Sequence, residues 1–481
     1  MTTTPPDPDA TTTAPSTTEP PPPPPPDPPV NGVSNAFAAQ RLSFGGSPAL
    51  SAEIERLGAG GWINDQLSKT QADPAVEARF PGDSIVNRTR EQIRGTNFRI
   101  SLTHSVLFRA RYSSHQLYEL MASLWADHFN IHLPGGNREI YTPDYQEKVI
   151  RPNAMGRFAD LLLATAQSEG MMWYLDNHLS DARKQGGVNE NYGRELLELH
   201  TVGVDNHSEA DVVGAAKILS GWTITGRYPG QFGFNAAMHA NETVTVLGRQ
   251  FAAGTGQRQG VDLLDFLAHH PNTARMVATK ICRRFVSDQP PSDLIGSAAQ
   301  VYLDNDTNIV PVLRHVLASS AFADSAGEKL RRPFEFMVAC LRATDATVGR
   351  NESSQLFSIL GDMGNRPWWW IPPNGFPDFA AYWADTSGFL LRWSFAARLC
   401  HNRLNDVSTN VAGIRSQAGS AGAYVEALAR RFGLESLPTR DVDGILQAYG
   451  LDRNSAAGSI GQAEAQDIAA LVLCHPSFQL R

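Results

Sequence analysis

The sequence predicts a mainly α fold: a multi-helical globular domain with one small β-hairpin, preceded by a disordered Pro/Thr-rich N-terminal tail. Three observations carry that expectation. Apolar residues recur at helical spacing through most of the chain after Val33. Alternating strand-like patterning is confined to roughly residues 221–252. Residues 1–31 hold almost no apolar side chains.

The tail, "MTTTPPDPDATTTAPSTTEPPPPPPPDPPVN", is built of Thr, Pro and acidic residues. Such a segment cannot bury enough surface to offset its ordering entropy, which predicts disorder over residues 1–32. The unbroken prolines from Pro20 to Pro26 stiffen it locally towards polyproline II. No Lys or Arg precedes Arg41 and no apolar stretch follows a basic start, so a secretory signal peptide is not expected as written. That leaves an intracellular protein, or a start site assigned downstream of the true one.

Amphipathic helices are expected near residues 34–43, 47–57, 98–111, 114–131, 157–175, 189–202, 208–220, 261–269, 272–286 and 308–319. Five more are expected near 332–344, 386–403, 421–432, 439–449 and 463–473. Ser114 and Ser208 stand where N-caps belong, and Glu209 and Asp211 complement the dipole of the first turn after Ser208. In the β region, "QFGF" and "TVTVLG" flank a polar break, the pattern of one hairpin. A single helical domain over residues 33–481 follows, with a division into lobes at 33–225 and 258–481 around the hairpin as its natural subdivision.

The chain has 481 residues, 42% of them apolar, enough for a sizeable core. Lys and Arg total 41 against 49 Asp and Glu, a formal net charge of -8. Without clustered basic runs, nucleic acid is not an expected partner. No apolar window is long enough to span a bilayer, so no transmembrane segment is expected. The nearest, residues 158–175, is broken by Asp160, Gln167, Ser168 and Glu169. Cys282, Cys340, Cys400 and Cys474 form no C-x-x-C pair and read as buried free thiols.

Two stretches carry candidate chemistry. In "LWADHFNIH", a continuous helix would place His128 and His132 on one apolar face, at the spacing by which two imidazoles converge on a metal ion. Phe129 stands where H-E-x-x-H would have its Glu. In "NENYGRELLELHTVGV", Tyr192, Leu196, Leu197, Leu199 and His200 form one arc, and Glu190, Asn191, Arg194, Glu195 and Glu198 the other. The acidic arc reads equally as a solvated face with i,i+4 pairs between Glu190, Arg194 and Glu198. Glu195 and His200 lie about 140° apart and cannot both bind one ion from a straight helix. His239 sits between the two strand candidates. Trp369 and Trp370, in the aromatic stretch of residues 365–385, are candidates for substrate stacking, provided their rings are exposed and coplanar. There is no G-x-S-x-G elbow and no P-loop.

Taken together and in order, "LWADHFNIH", "NENYGRELLELHTVGV", "HPNTARMVATKICRRFVSDQPP", "LRRPFEFMVACLRA", "PPNGFPD" and "LLRWSFAARL" resemble the bacterial domain of unknown function 1800 family from about Val33 to Arg481. The resemblance implies a long, mostly helical, exported or periplasmic protein, often encoded beside a sulfatase-like companion. It carries no activity over. Its recurrent polar positions fall on His128, Asn189, Glu190, Arg194, Glu195 and His200. His239 takes the place of a His-Asp pair, but Ala240 replaces the acid.

The leading functional expectation is metal-assisted hydrolysis. His128, His200 and His132 would be candidate ligands of a divalent metal ion, and Glu195 a third ligand or the base. Glu190 and Arg194 would be orienting groups, and Trp369, Trp370, Asn189 and His239 substrate contacts. The competing expectation is a non-enzymatic exported or envelope protein that binds a partner such as the sulfatase-like companion, with the His/Glu cluster a structural hydrogen-bond network. Neither a small-molecule nor a glycan substrate is specified.

Overall fold

A computed structural model describes residues 32–481, apart from 95, 97, 135 and 350–353 and the side chains of 136–138. The Pro/Thr-rich tail expected to be disordered lies outside the described residues. Helix starts follow the local sequence. Ser34 accepts from the Phe37 N–H to open α1 (Asn35–Arg41), and Ser47 with Pro48 opens α2 (Pro48–Ser68). Gly58, just past the expected end of the second helix at residue 57, kinks α2 at φ 70°, and the helix runs on to Ser68.

Next come α3 (Phe98–Tyr112), α4 (Gln116–His128) and α5 (Phe158–Ala166). Ser114 does not cap α4. Its N–H and hydroxyl both donate to Asp73 Oδ2, at 2.6 and 2.8 Å, and His115 takes the cap position with no side-chain bond. The stretch expected as one helix over 189–202 is α6 (Asn191–Glu195), widened into a π-helical turn over Leu196–His200. Ser208 and Asp211 form a reciprocal capping box on α7 (Glu209–Leu219).

The β content is small but more divided than one hairpin. β1 (Trp222–Thr225) pairs antiparallel with β2 (Gln231–Phe234), and β3 (Val244–Val246) with β4 (Arg249–Phe251). "QFGF" therefore pairs backwards onto "WTIT" instead of forwards across the polar break.

Beyond the strands run α8 (Gln257–Ala268), α9 (Pro271–Phe285), α10 (Ser292–Asp304), α11 (Ile309–Leu317) and α12 (Pro333–Ala343). They are followed by α13 (Ser354–Asp362), α14 (Thr386–Cys400), α15 (Ala421–Arg431), α16 (Thr439–Gln447) and α17 (Gln462–Cys474). A third small pair, β5 (Thr347–Val348) with β6 (Val407–Ser408), ties the segment after α12 to the one after α14. α10 and α13 were not apparent in the apolar periodicity; α10 owes its place to packing along α9.

One contiguous apolar core runs from Phe37 to Phe478, with α12 buried along its whole length against α3 and α14. Cys282, Cys340 and Cys400 are buried free thiols and Cys474 is partly buried. The core also swallows arginines: Arg41, Arg109, Arg284, Arg331 and Arg392 rank among its largest fully buried side chains. A guanidinium inside a protein needs partners for its N–H groups. Arg41 finds them on backbone carbonyls, including Phe285 O at 2.5 Å and Val286 O at 2.7 Å, so it caps the C-terminal end of α9. Among the described residues no helix is long and apolar enough to cross a membrane.

Candidate functional site

The site is assembled on the last turn of α4, which ends at His128. Phe129 leaves the helix at φ -103°, ψ 51°, one turn earlier than expected. His132 is therefore not a turn above His128 on a shared face. It lines a separate depression with Tyr174 and Ile371.

The Pro/Trp-rich loop of residues 365–379 is pinned over the end of α4. Leu133 N–H donates to Trp368 O at 2.7 Å, and the Asn130 amide donates to Trp370 O and Pro372 O at 2.9 and 2.8 Å. Gly375 makes the approach possible. Its φ is +70°, and a Cβ there would lie 1.9 Å from Asp127 O. The glycine of "NGFPD" is thus required by the contact of backbone on backbone.

Between this loop, the end of α4 and the side of α9 lies a cleft of about 200 Å³. α9 presents Lys280, Arg283 and Arg284 to it, the i, i+3 and i+4 positions of one helix face. Arg332, just ahead of α12, completes four basic side chains against two carboxylates, Asp127 and Asp378. His128 and Leu124 form part of the wall.

Some of these charges are committed to each other. Arg332 Nη1 donates to Asp127 Oδ2 at 2.6 Å and its Nε to Glu335 Oε1 at 3.1 Å. Arg284 Nη1 donates to the same Glu335 oxygen. Behind the cleft, Lys329 bridges Asp288 at 2.6 Å and Asp378 at 3.1 Å. Burial pushes the Asp378 carboxyl up, but Lys329, Arg284 and Arg332 outweigh it and hold the group at about 2. Glu335 is likewise held well below the usual carboxylate range: burial is overcome by Arg284, Arg481 and Arg332.

One of these paired cations keeps donors unused, and one further cation has no partner. Arg284 is 1% exposed, yet its Nε and Nη2 have no hydrogen-bond partner. The Lys280 ammonium makes no hydrogen bond or ion pair among the described residues. Burial is the main force lowering its pKa to about 8. Arg283 adds to the shift, and Asp127 and Asp378 oppose it.

Beneath the cleft, His128 and His200 meet with ring centroids 6.0 Å apart. His128 Nε2 lies 3.2 Å from His200 O, so that nitrogen carries the proton and Nδ1 is bare. Neither ring nitrogen of His200 has a partner. Burial, with Lys280 adding to it, lowers both imidazoles, His200 to about 3, so the pair is neutral at physiological pH. Phe129 and Tyr192 pack around His200. Among the described residues no group of three or more His, Cys, Asp or Glu stands where it could hold one metal ion.

The remaining candidates lie elsewhere. Arg194 forms a two-point pair with Glu209 at 2.8 and 2.7 Å and reaches Glu190 and Glu198 at 3.6 Å, a solvated ion-pair face. Glu195 is half-buried beside Tyr174 and Glu198, and burial raises its pKa. The Asn189 amide donates to Asp176 O at 3.4 Å, and its Oδ1 accepts from Asn191 N–H at 3.0 Å, a turn ahead of α6.

His239 lies against Ser220 O at 3.0 Å through Nδ1 and packs beside Gly221, fastening the segment after β2 to the end of α7. Trp369 packs edge-on to Phe357, with the Arg366 guanidinium 4.3 Å from its ring. Trp370 is inclined by 46° to Phe376 and 81° to Tyr382, so these rings share no common plane.

Sequence reasoning passed over Lys280, Arg283, Arg284, Arg332 and Asp378. The signal was present in "KICRRF", where three basic residues border the apolar face of an otherwise buried helix. Recognising it requires knowing that α9 is covered on that side.

A family model described as protein of unknown function (DUF1800) matches residues 37–480. Comparison with curated proteins and with solved structures gives no match.

Proposed function

The chain belongs to the DUF1800 family of proteins of unknown function, and from the geometry of its cleft we propose that it binds a small anion-bearing ligand there. A phosphate, sulfate or carboxylate group would be held by Lys280 and the free N–H groups of Arg284. The observation that carries this reading is the unpaired Lys280 ammonium in a half-enclosed, net positive cleft, beside an Arg284 that keeps two N–H-bearing nitrogens unpartnered despite its bond to Glu335. A buried donor without a partner costs about 1–3 kcal/mol. An anion would satisfy the Arg284 donors and the Lys280 charge together, through charge-assisted bonds made stronger by low local dielectric. Asp127, Asp378 and Glu335 hold the neighbouring cations in place.

Calorimetric titration of the whole chain with inorganic phosphate, sulfate and acetate, against chloride at equal ionic strength, tests this. Saturable binding of at least one anion, weakened tenfold or more in Lys280→Met, is expected. Absence of saturable binding, or equal affinity in the variant, rejects the reading.

The metal-assisted hydrolase is a second reading, favoured by one specific observation: three ring nitrogens of His128 and His200 lack a hydrogen-bond partner, and each neutral ring offers one lone pair. Neutral imidazoles are the ligating form. A divalent ion there would need further donors and would lie in the positive field of Lys280 and Arg284. Metal analysis of the purified chain decides: a stoichiometric ion lost in His200→Ala supports it, and its absence, with no uptake of added zinc, removes it.

A further inference from the structure

Part of the rim of the cleft is aromatic and exposed. Of the nine exposed large apolar side chains among the described residues, five fall between Ile371 and Trp393 in sequence, although Ile371 belongs to the separate depression at His132. Phe379, 42% exposed, lines the cleft itself, with the Arg283 guanidinium 4.4 Å from its ring centroid. Tyr382, 51% exposed, sits one turn on, its N–H donating to Phe379 O at 3.2 Å. Tyr382 contacts Trp370 at 5.8 Å between ring centroids, and Trp370 contacts Phe376, another wall of the cleft, at 5.1 Å. The apolar collar is therefore continuous with the cationic cleft through shared residues.

We propose that the ligand is an anionic amphiphile, its charged head in the cleft against Lys280 and Arg284 and its hydrocarbon portion across Phe379 and Tyr382. The inference rests on the anion-binding reading and adds the class of molecule that carries the anion. The edge-to-face arrangement of the rings argues for this occupant. A flat sugar or base needs one aromatic plane to stack on, whereas a flexible alkyl chain packs equally well against inclined rings. Charge complementarity fixes the polarity, because cations stand at the cleft end of the collar and the exposed apolar side chains lie beyond it.

The test is calorimetry on the full chain with inorganic phosphate, then ethyl, butyl and hexyl phosphate, each below its aggregation concentration. Affinity is expected to rise about two- to fourfold per methylene over the first few carbons. Tyr382→Ser should reduce that rise while leaving inorganic phosphate binding unchanged, and Phe379→Ser, in the cleft wall, should reduce the rise as well. Lys280→Met should weaken every member of the series.

Equal affinity for inorganic and hexyl phosphate, or a chain-length gain that survives both serine variants, overturns the proposal. So does a gain obtained with glucose 6-phosphate but not with hexyl phosphate. Failure of inorganic phosphate and of the whole alkyl series rejects the underlying anion site instead. Sedimentation with phosphatidylcholine vesicles, with and without phosphatidic acid, separates the two sources of the chemistry. Co-sedimentation that requires phosphatidic acid and Tyr382 assigns a bilayer lipid, and hexyl phosphate binding without co-sedimentation assigns a soluble amphiphile.

Discussion

Lys280 gives a pH signature whose sign and size follow from its surroundings. An unfolded lysine titrates at about 10.4. In the folded protein the group titrates at about 8, because burial disfavours the ammonium form; Arg283 adds to this, and Asp127 and Asp378 only partly offset it. His128 and His200, which also face it, are neutral and stay so above pH 7. Below pH 8 both states hold the proton, and the folded state carries the full cost of the desolvated charge. Between pH 8 and about 10.4 the folded lysine is neutral while the unfolded one remains charged, so the unfolded state binds more protons and stability rises with pH. The unscreened cost is about 3 kcal/mol at about 1.4 kcal/mol per unit. Solvent at the mouth of the cleft reduces it to about 2 kcal/mol. Lys280→Met removes the cost at every pH. Urea unfolding of both proteins at pH 7, 8, 9 and 10 should therefore show the variant more stable by about 2 kcal/mol at pH 7, with the gap closing as pH approaches 10. A gap that stays constant from pH 7 to 10, or wild type more stable throughout, refutes the reasoning.

Three further outcomes follow from single contacts. Gly375→Ala places a methyl against Asp127 O at a left-handed backbone position; it should lower stability by about 3 kcal/mol in urea unfolding, with loss of anion binding. His200→Phe replaces a ring with two unpartnered nitrogens; thermal unfolding should show stability unchanged or raised by about 1 kcal/mol, whereas a structural hydrogen-bond role predicts a clear loss. Arg194→Ala breaks only solvated pairs; it should cost under about 1 kcal/mol by urea unfolding and leave anion affinity within twofold.

Much of the fold was legible because helix formation is local. Caps such as Ser34, Ser47 and Ser208, prolines at first turns, and 3.6-residue apolar spacing all act within a few residues of themselves. The same local reasoning divided residues 189–202 correctly into a face that buries His200 and a face whose Glu190, Arg194 and Glu198 pair in solvent. It failed where a long-range contact overrides a local pattern. α4 stops at His128, where Asn130 and Leu133 bond to the loop of residues 365–379.

Apart from His128 in its wall, the cleft escaped sequence reasoning. Its charges come from α4, α9, the start of α12 and the loop near residue 378, and Asp127 meets Arg332 across 205 positions of chain. By itself the sequence determined most of the helices, caps such as Ser34, Ser47 and Ser208, and which faces of those helices turn inward, because those depend on neighbours within a turn or two. Only the tertiary structure decided which buried cations find carboxylates, as Arg284 finds Glu335, and which, like Lys280, are left facing a cleft, because pairing of charge depends on distance in space.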